Sequence, residues 1–390
     1  MMILCVVHRE GRYERMTQRR RGADLAMGMS LCACIVWFSG CGLFPRDAPT
    51  PMVPITQQYL NQMVHVCLWY DCKPAAASWS CDDSHALCFE ELEKAHIKGT
   101  FYLIGYAESR NAREFPRFHA AGHELAAHTM HHYCGERLFQ GESDRYAREE
   151  VEPNIRAIEA LTHRPVLSVA WPCGCVVPDR IKATQQYVLG ARGFYEGPGS
   201  VSYDVACNQM REGFVTATPE QWHNLPSYAN ETAGIPFWKH VIDQVIREER
   251  WLIVTAHTTC NGIAELAARQ GDLWIAPIGE ILQYISVRDR TIVEKAALTG
   301  DAFVMSVRHT LHTRVRPAIA GTPLLPIVYD NVVTLAIEIP SERGVIGVLV
   351  DRIPYLTYRI INRDSKQLLL VDLALNHTRD ITVCFSPRCS

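Results

Sequence analysis

The chain has 390 residues, 48% of them hydrophobic and 21% charged, which is typical of a globular protein and unlike a disordered, collagen-like or coiled-coil chain. Its 39 lysines and arginines stand against 42 aspartates and glutamates, so the formal net charge is -3 and nucleic acid is not an expected partner. Because the length exceeds one average domain, we expect a main domain with a smaller one attached.

Residues 1–41 have the pattern of an export signal. Three arginines at 19–21 precede an apolar run at 25–38, which is shorter than the ~20 apolar residues needed to span a bilayer. The Phe-Ser-Gly before Cys41 resembles a bacterial lipobox, in which the cysteine is lipidated. We expect the protein to attach to a membrane only through such a lipid on Cys41. We expect an exported, periplasmic or extracellular protein with a proline-rich linker at 42–62; the alternative is a short anchor that stays uncut.

Residues 63–288 alternate short apolar runs with stretches of helical period. This alternation predicts parallel strands joined by helical crossovers, and hence an α/β layered fold or barrel. The predicted strands are Ala75–Cys81, Thr100–Ile104, Glu124–His128, Val166–Trp171, Val188–Ala191 and Trp251–His257. The predicted helices include His85–His96, Ser143–Leu161 and Phe237–Glu249.

Residues 289–390 have a different sequence pattern, in which strand-like runs are separated by turn-forming residues and no convincing helical period appears. We interpret this part as a small antiparallel β-sandwich that supports the main domain or contacts glycan. Its predicted strands are Ile292–Val304, Val332–Ile339, Val345–Val350, Leu356–Ile361 and Gln367–Leu373.

Cysteine is abundant, with 15 residues in the chain. Four of them (5, 32, 34 and 41) lie in the export segment, which leaves 15 − 4 = 11. An odd number cannot pair completely within one chain, so at least one thiol is free or pairs outside it. An exported location permits disulfides, but the sequence does not assign them.

Two adjacent carboxylates, Asp82 and Asp83, close the first apolar run. At the carboxyl end of a parallel strand they would lie at the mouth of a barrel, where loops assemble active sites. They point to different sides of the chain, so that one can bind a metal while the other faces substrate. Most such pairs are solvated turn residues, which is the alternative.

Histidines supply the second part of the pattern. On a helical turn, His128 and His132 at i,i+4 would share one face and could chelate a divalent ion, although the adjacent His131 could take the place of either. The alternative is a solvated histidine-rich turn. His257 ends the last predicted strand and is placed for proton transfer, although a lone histidine there is more often a satisfied core residue.

Taken in order, these motifs resemble the polysaccharide deacetylase (NodB-homology) family, carbohydrate esterase family four, over residues 74–287. Ser80-Cys81-Asp82-Asp83 stands where the family has Thr-Phe-Asp-Asp, and Lys98–Leu103 is similar to its "ATFF" strand. His128–His132 is similar to its H-[ST]-x-x-H motif, and Leu-Ile-Val-Thr-Ala-His257 to its last histidine motif. The resemblance implies a distorted (β/α) barrel, here followed by the β-sandwich.

The resemblance also implies roles for these positions. Asp82 would be the general base and His257 the general acid, with Asp83, His128 and His132 as ligands of one divalent metal ion. Zinc is the expected ion, with cobalt, nickel and manganese as alternatives. The substrate would be an acetylated polysaccharide or oligosaccharide, N-acetylated or O-acetylated.

The chain departs from the family pattern in three ways. Ala170-Trp171-Pro172-Cys173-Gly174 stands where the family often has Arg-Pro-Pro-Tyr-Gly, so the arginine that orients the base is missing from that loop. Arg192 is a candidate replacement, with an ordinary surface arginine as the alternative. Ser84 replaces the usual glycine after the aspartate pair, and Cys173 an aromatic residue that would flank the acetyl group. We still expect Trp171, Cys173 and Gly174 to contact substrate, with backbone N–H groups near Cys173 holding the oxyanion.

Three functions remain open at this point. The first is an exported, metal-dependent polysaccharide deacetylase, which is favoured because the base, acid and ligand positions are all filled. The second is a non-catalytic glycan-binding protein on a decayed barrel, which the missing loop arginine favours. The third is an amidohydrolase of a small cyclic amide, which suits the export segment and the attached β domain less well.

Overall fold

A computed structural model describes residues 52–105, 113–134, 139–174, 177–193, 213–231, 234–317 and 323–389. The predicted export segment, with Cys41, lies outside these described residues. The first described elements precede the barrel in sequence and are β1 (Val53–Pro54), α1 (Gln57–Met63) and β2 (Val64–Val66).

A curled parallel sheet is built from strands between residues 75 and 275. Its strands are β3 (Ala75–Cys81), β4 (Thr100–Leu103), β5 (Glu124–Ala127), β6 (Ser168–Ala170), β7 (Gly190–Arg192), β8 (Tyr228–Ala229), β9 (Trp251–Ala256) and β10 (Leu273–Ile275). The order is β7-β6-β5-β4-β3-β9-β8, and β10 pairs with the first half of β3 while β4 pairs with its second half. Every residue of β3 is buried, as expected for a central strand covered on both faces. The predicted α/β barrel is confirmed as an open, distorted one.

Helices follow most of these strands and cover the outside of the sheet. They are α2 (Phe89–Lys94), α3 (Phe115–Ala120), α4 (Ser143–Tyr146), α5 (Glu152–Thr162), α6 (Pro178–Thr184), α7 (Ile235–Arg247), α8 (Ile263–Ala267) and α9 (Ile278–Arg288). In α7 the buried residues Trp238, Val241, Ile242 and Val245 recur at helical spacing and form the face toward the sheet. None of the helices in the described ranges has the length and apolar character needed to cross a bilayer.

The predicted helix Ser143–Leu161 is not continuous. A single π-helical turn, Ala147–Val151, separates α4 from α5. Pro153 lies at the start of α5, where the missing backbone N–H of proline is tolerated. The π-helical turn carries Glu150, whose carboxylate accepts the backbone N–H of His131, so it lies beside the histidine-rich segment 128–132.

Two antiparallel sheets form the predicted β-sandwich. Their remaining strands are β11 (Thr291–Leu298), β12 (Ala302–His309), β13 (Val332–Ile339), β14 (Gly347–Val350), β15 (Ile353–Pro354), β16 (Arg359–Arg363), β17 (Lys366–Ala374) and β18 (Arg379–Cys384). One sheet has the order β1-β11-β12-β18-β14-β15 and the other β16-β17-β13-β2. Phe303, Leu335 and Val371 are fully buried members of the core between them.

The sandwich differs from the sequence interpretation in its first hairpin, in its amino-terminal strands and in β18, which was not predicted although it pairs with both β12 and β14. The run Ile292–Val304, expected as one strand, is the hairpin of β11 and β12, because the Thr299 hydroxyl accepts the backbone N–H groups of Asp301 and Ala302 and closes a turn. Residues 52–62, assigned to the linker, contribute β1 and α1 to the sandwich, and β2 pairs with β13.

Four disulfides lie within the described residues: Cys67–Cys72, Cys88–Cys260, Cys134–Cys173 and Cys384–Cys389. Cys81 is buried with a free thiol, in agreement with the expectation of at least one unpaired cysteine. Two of the bridges, Cys88–Cys260 and Cys134–Cys173, connect loops at the carboxyl edge of the parallel sheet.

Candidate active site

Inward-facing positions of four strands supply the candidate site. Ala76, Ala126, Ala170 and Ile253 lie in one buried cluster inside the barrel. Because side chains alternate along a strand, residues an even number of positions later face the same side. The same alternation continues just past the ends of β3, β5 and β9, where it places Asp82, His128 and His257 on the inner side. On β7, Arg192 pairs in register with the inward-facing Ala170 of β6. The parallel sheet therefore brings these residues, distant in sequence, to one edge.

The three predicted ligands converge. Ligand atoms of Asp83, His128 and His132 all lie within 4.8 Å of one another. Asp83 Oδ1 is 3.4 Å from His128 Nε2 and 3.2 Å from His132 Nε2. His128 donates its Nδ1–H to the carbonyl of Ala170 at 2.9 Å, which leaves the Nε2 lone pair facing the carboxylate. The arrangement is that of a two-histidine, one-carboxylate site.

The chain reaches this geometry without the expected helical turn. Thr129 and His132 both have left-handed backbone conformations, with φ of 65° and 55°. His128 instead follows a strand, and the hydroxyl of Thr129 accepts the backbone N–H of His132 at 3.1 Å. The i,i+4 spacing is thus that of a tight non-helical turn, and its interpretation as helix was wrong.

His131 points away from the cluster, which resolves the ambiguity between the adjacent histidines. Its Nδ1 lies 2.7 Å from Glu150 Oε1, and its backbone N–H donates to Glu150 Oε2 at 2.9 Å. Glu150 is buried, and its backbone carbonyl accepts the N–H of Met130. The π-helical turn that carries Glu150 therefore holds the turn from His128 to His132 in place.

Charges in the cluster favour an anionic Asp83 beside a neutral His132. Burial alone would raise the pKa of Asp83, but the neighbouring His128 and His132 outweigh it and hold that pKa well below its usual range. Burial, together with His128, lowers the pKa of His132 to about 4. A neutral imidazole and an ionised carboxylate are the forms that bind a metal ion.

Arg192 is not a surface residue. It is fully buried, forms an ion pair with Asp82, and has its guanidinium carbon 4.8 Å from the centre of the Tyr102 ring. Burial would raise the pKa of Asp82, but Arg192, His128 and His257 lower it below the ordinary value. Asp82 is therefore held as an anion in the barrel interior.

His257 has a partner that sequence reasoning missed. The backbone N–H of His257 donates to Glu231 Oε1, which lies 3.6 Å from the His257 Nδ1, while Nε2 lies 3.6 Å from Asp82 Oδ2. Burial lowers the pKa of His257, but Glu231 and Asp82 outweigh it and raise that pKa above its ordinary value. Glu231 follows β8, and a strand of only two residues shows no periodicity in the sequence. The one sequence feature that could have indicated Glu231 was an acidic residue before an apolar helix.

The loop predicted to hold the oxyanion is only partly available for that role. The Trp171 side chain is fully buried and donates its indole N–H to the carbonyl of His223 at 3.0 Å. The Gly174 N–H donates to the Trp171 carbonyl at 2.9 Å, so it is engaged in the turn. Cys173, with φ of 50°, forms a disulfide with Cys134 and thereby connects this turn to the segment that carries His132.

The turn after the aspartate pair accommodates the departure at position 84. Asp83 and Ser84 have φ of 56° and 58°, in the left-handed region that favours glycine. The Ser84 hydroxyl accepts the backbone N–H of Ile104 at 2.9 Å. This bond helps to hold a conformation that serine rarely adopts by itself.

Residues 65–190 match the family model described as polysaccharide deacetylase. This stretch carries the two aspartates and the histidine turn, and over it the predicted resemblance to that family is confirmed. No curated protein sequence matches the chain.

Several solved structures are similar to this chain at low identity. A candidate polysaccharide deacetylase from Mycobacterium smegmatis is 14% identical and aligns over 62% of this chain and 96% of its own, with a TM-score of 0.40. A Xyl-CE4 domain of a multidomain xylanase, from the hindgut metagenome of Trinervitermes trinervoides, is 14% identical over 55% and 92%, with a TM-score of 0.37. A CE4-family pseudoenzyme from Bacillus anthracis is 17% identical over 53% and 65%, with a TM-score of 0.32.

Proposed function

We propose that this protein is a metal-dependent hydrolase that removes acetyl groups from an N-acetylated or O-acetylated polysaccharide. The observation that carries the proposal is the convergence of Asp83, His128 and His132 beside a buried carboxylate, Asp82, and a histidine, His257. The family match over residues 65–190 supports the same class of reaction.

The residues present fit a divalent ion. Asp83 Oδ1 is buried and has no hydrogen-bond partner, although it lies between the Nε2 atoms of two histidines. A bound cation would satisfy this buried carboxylate oxygen, which has no hydrogen-bond donor. Two imidazoles and one carboxylate suit zinc, and also cobalt, nickel or manganese. We propose zinc as the native ion, with Asp83, His128 and His132 as its ligands.

The chain's own residues account for the proton transfers. A bound ion would supply Lewis acidity, polarising the acetyl carbonyl and lowering the pKa of water. Asp82, held as an anion by Arg192, accepts a proton from the attacking water. His257, whose pKa is raised by Glu231 and Asp82, carries the proton that the departing amine or alcohol needs. In this scheme Arg192 and Glu231 position the base and the acid.

We further propose that the protein works outside the cytoplasm, anchored to the membrane through Cys41 or released. Four disulfides in the described part of the chain support an oxidising compartment. The substrate would then be a large extracellular or periplasmic glycan, which the β-sandwich helps to hold.

The test is acetate release from chitooligosaccharide and from O-acetylated xylan by the purified full chain. We expect turnover that is lost on chelation and restored by added zinc. Glycan binding without acetate release, from zinc-loaded protein on a panel of acetylated glycans, would instead support a non-catalytic binding role. The Asp82→Asn variant is the matched control, since it keeps the proposed ligands and removes the proposed base.

A further inference from the structure

The Cys134–Cys173 disulfide lies directly beside the candidate metal centre. Cys134 is two residues after His132, and Cys173 lies in the turn after β6. His132 and both cysteines are partly exposed, so a small reductant and a metal ion can reach them. This disulfide contacts the imidazole of a proposed ligand, in addition to joining two loops.

The His132 ring stands between two sets of ligand atoms. Its Nε2 is 3.2 Å from Asp83 Oδ1, on the side of the proposed centre. Its Nδ1 is 3.8 Å from the sulfur of Cys134, on the opposite side. A neutral imidazole binds metal through one nitrogen and keeps a proton on the other, so this ring serves a site on each side only after it loses that proton and bridges the two ions as an imidazolate.

The ligand atoms of His132, Cys134 and Cys173 all lie within 4.8 Å of one another. In a tetrahedral zinc site, with Zn–S near 2.3 Å and Zn–N near 2.0 Å, neighbouring ligand atoms are roughly 3.5–4 Å apart. Two sulfurs freed from their mutual bond can reach that separation by side-chain rotation. Two thiolates and an imidazole are the ligand types that zinc prefers in closed sites.

We propose that reduction of the Cys134–Cys173 disulfide creates a second metal site, formed by the two thiolates and His132 Nδ1, which binds a soft divalent ion such as zinc. With a phosphine as reductant, the phosphine and one water yield phosphine oxide, the S–S bond breaks, and two thiols form. Each thiol gives up its proton to solvent when it binds the ion, and so does His132 Nδ1, which leaves the ring as an imidazolate between the two ions. The inference shares His132 with the proposed function, and the site would make the centre responsive to reducing conditions.

Cobalt titration of the folded full chain, with and without phosphine treatment, tests the proposal. We expect the oxidised protein to bind one cobalt ion without a sulfur-to-cobalt charge-transfer band. The reduced protein should bind a second ion and show that band. The band should be absent from reduced Cys134→Ser/Cys173→Ser and retained in the matched control Cys88→Ser/Cys260→Ser, which opens a second disulfide that the described residues form at this edge. Far-ultraviolet circular dichroism checks that each sample is folded.

The outcomes separate this inference from the proposed function. If the reduced wild-type protein is folded and gains neither an ion nor the band, the second site is disproved while the first ion in the oxidised protein still supports the enzyme. If the band persists in the Cys134→Ser/Cys173→Ser variant, the assignment is also overturned. If oxidised protein binds no metal but reduced protein shows the band, the proposed centre fails and the second site stands.

Discussion

Arg192 on β7 reaches across the barrel interior to form a buried ion pair with Asp82 at the end of β3. Its register partner on β6 is Ala170, at the position where the resemblance places the loop arginine. Paired residues on adjacent strands face the same side of a sheet. A guanidinium from the neighbouring strand can therefore occupy the same part of the interior, as the sequence analysis suggested for Arg192.

Removing this guanidinium should damage both stability and activity. Arg192→Met leaves Asp82 buried without a counter-charge, so we expect the free energy of unfolding to fall by about 3–5 kcal/mol. In protein that remains folded, we expect acetate release to fall by roughly 100-fold, since the base is no longer held in place. Denaturant unfolding and acetate assays measure the two effects. The double variant Ala170→Arg/Arg192→Ala should recover part of the activity, and no recovery would indicate that an arginine on β6 cannot reach Asp82.

Replacing the proposed base should separate metal binding from turnover. Asp82→Asn keeps Asp83, His128 and His132, so we expect zinc content to be unchanged. Acetate release should fall by about 10²–10⁴-fold, because a neutral amide cannot accept the proton of water. Metal analysis and kinetics on the same sample check both points. Activity near the wild-type level would remove Asp82 from the mechanism.

The two adjacent histidines should differ in their effect on metal content. His128→Ala removes a proposed ligand, and we expect it to weaken zinc binding by more than the ~10–100-fold typical of changes to residues that only support a ligand. His131→Ala, whose ring contacts Glu150 instead, is the matched control and should retain about one zinc per chain. Competition with a chromophoric chelator measures both affinities. Equal affinities in the two variants would contradict the ligand assignment.

Glu231 should set the alkaline limit of activity. Its carboxylate helps to raise the pKa of His257, so the protonated acid persists to higher pH. Glu231→Gln removes that charge and lowers the pKa, so the falling limb of the pH–rate profile should move about one unit toward acid. The pH dependence of kcat/KM reports the change. An unshifted limb would show that Glu231 has only a structural role.

His123 should make stability depend on pH away from the candidate site. It is buried, its Nδ1 accepts the backbone N–H of Gly99 at 3.0 Å, and its Nε2 lies 3.0 Å from Glu93. Burial and the nearby Lys98 lower its pKa, although Glu93 opposes them. The pKa of His123 in the folded protein lies below the unfolded value of ~6.5. The contribution of neutral His123 to the free energy of unfolding is therefore complete above pH ~6.5, and it is lost as the pH falls from there through the folded pKa.

Denaturant unfolding at a series of pH values tests this dependence. We expect wild-type protein to lose stability between neutral and mildly acidic pH, with a smaller loss in His123→Asn, whose side chain can still accept from Gly99 but does not titrate. Identical pH dependence in the two proteins would rule out His123 as its source.

The sequence predicted the barrel strands well because buried parallel strands appear as continuous apolar runs, as in β3 and β9. It could not show which strands are neighbours, so the position of Arg192 relative to Asp82 stayed undecided. Glu231 was missed because a two-residue strand has no period. The turn at His128–His132 was misinterpreted because left-handed conformations at Thr129 and His132 occur without a glycine to mark them.

Strands from both ends of the described chain share the sheets of the β-sandwich, since β1 pairs with β11 and β2 with β13. The earliest of these strands leave the ribosome long before their partners exist. The sandwich can therefore be completed only after the whole intervening barrel has been synthesised. A truncation at the end of the barrel would leave β1 and β2 near the amino terminus without their partner strands.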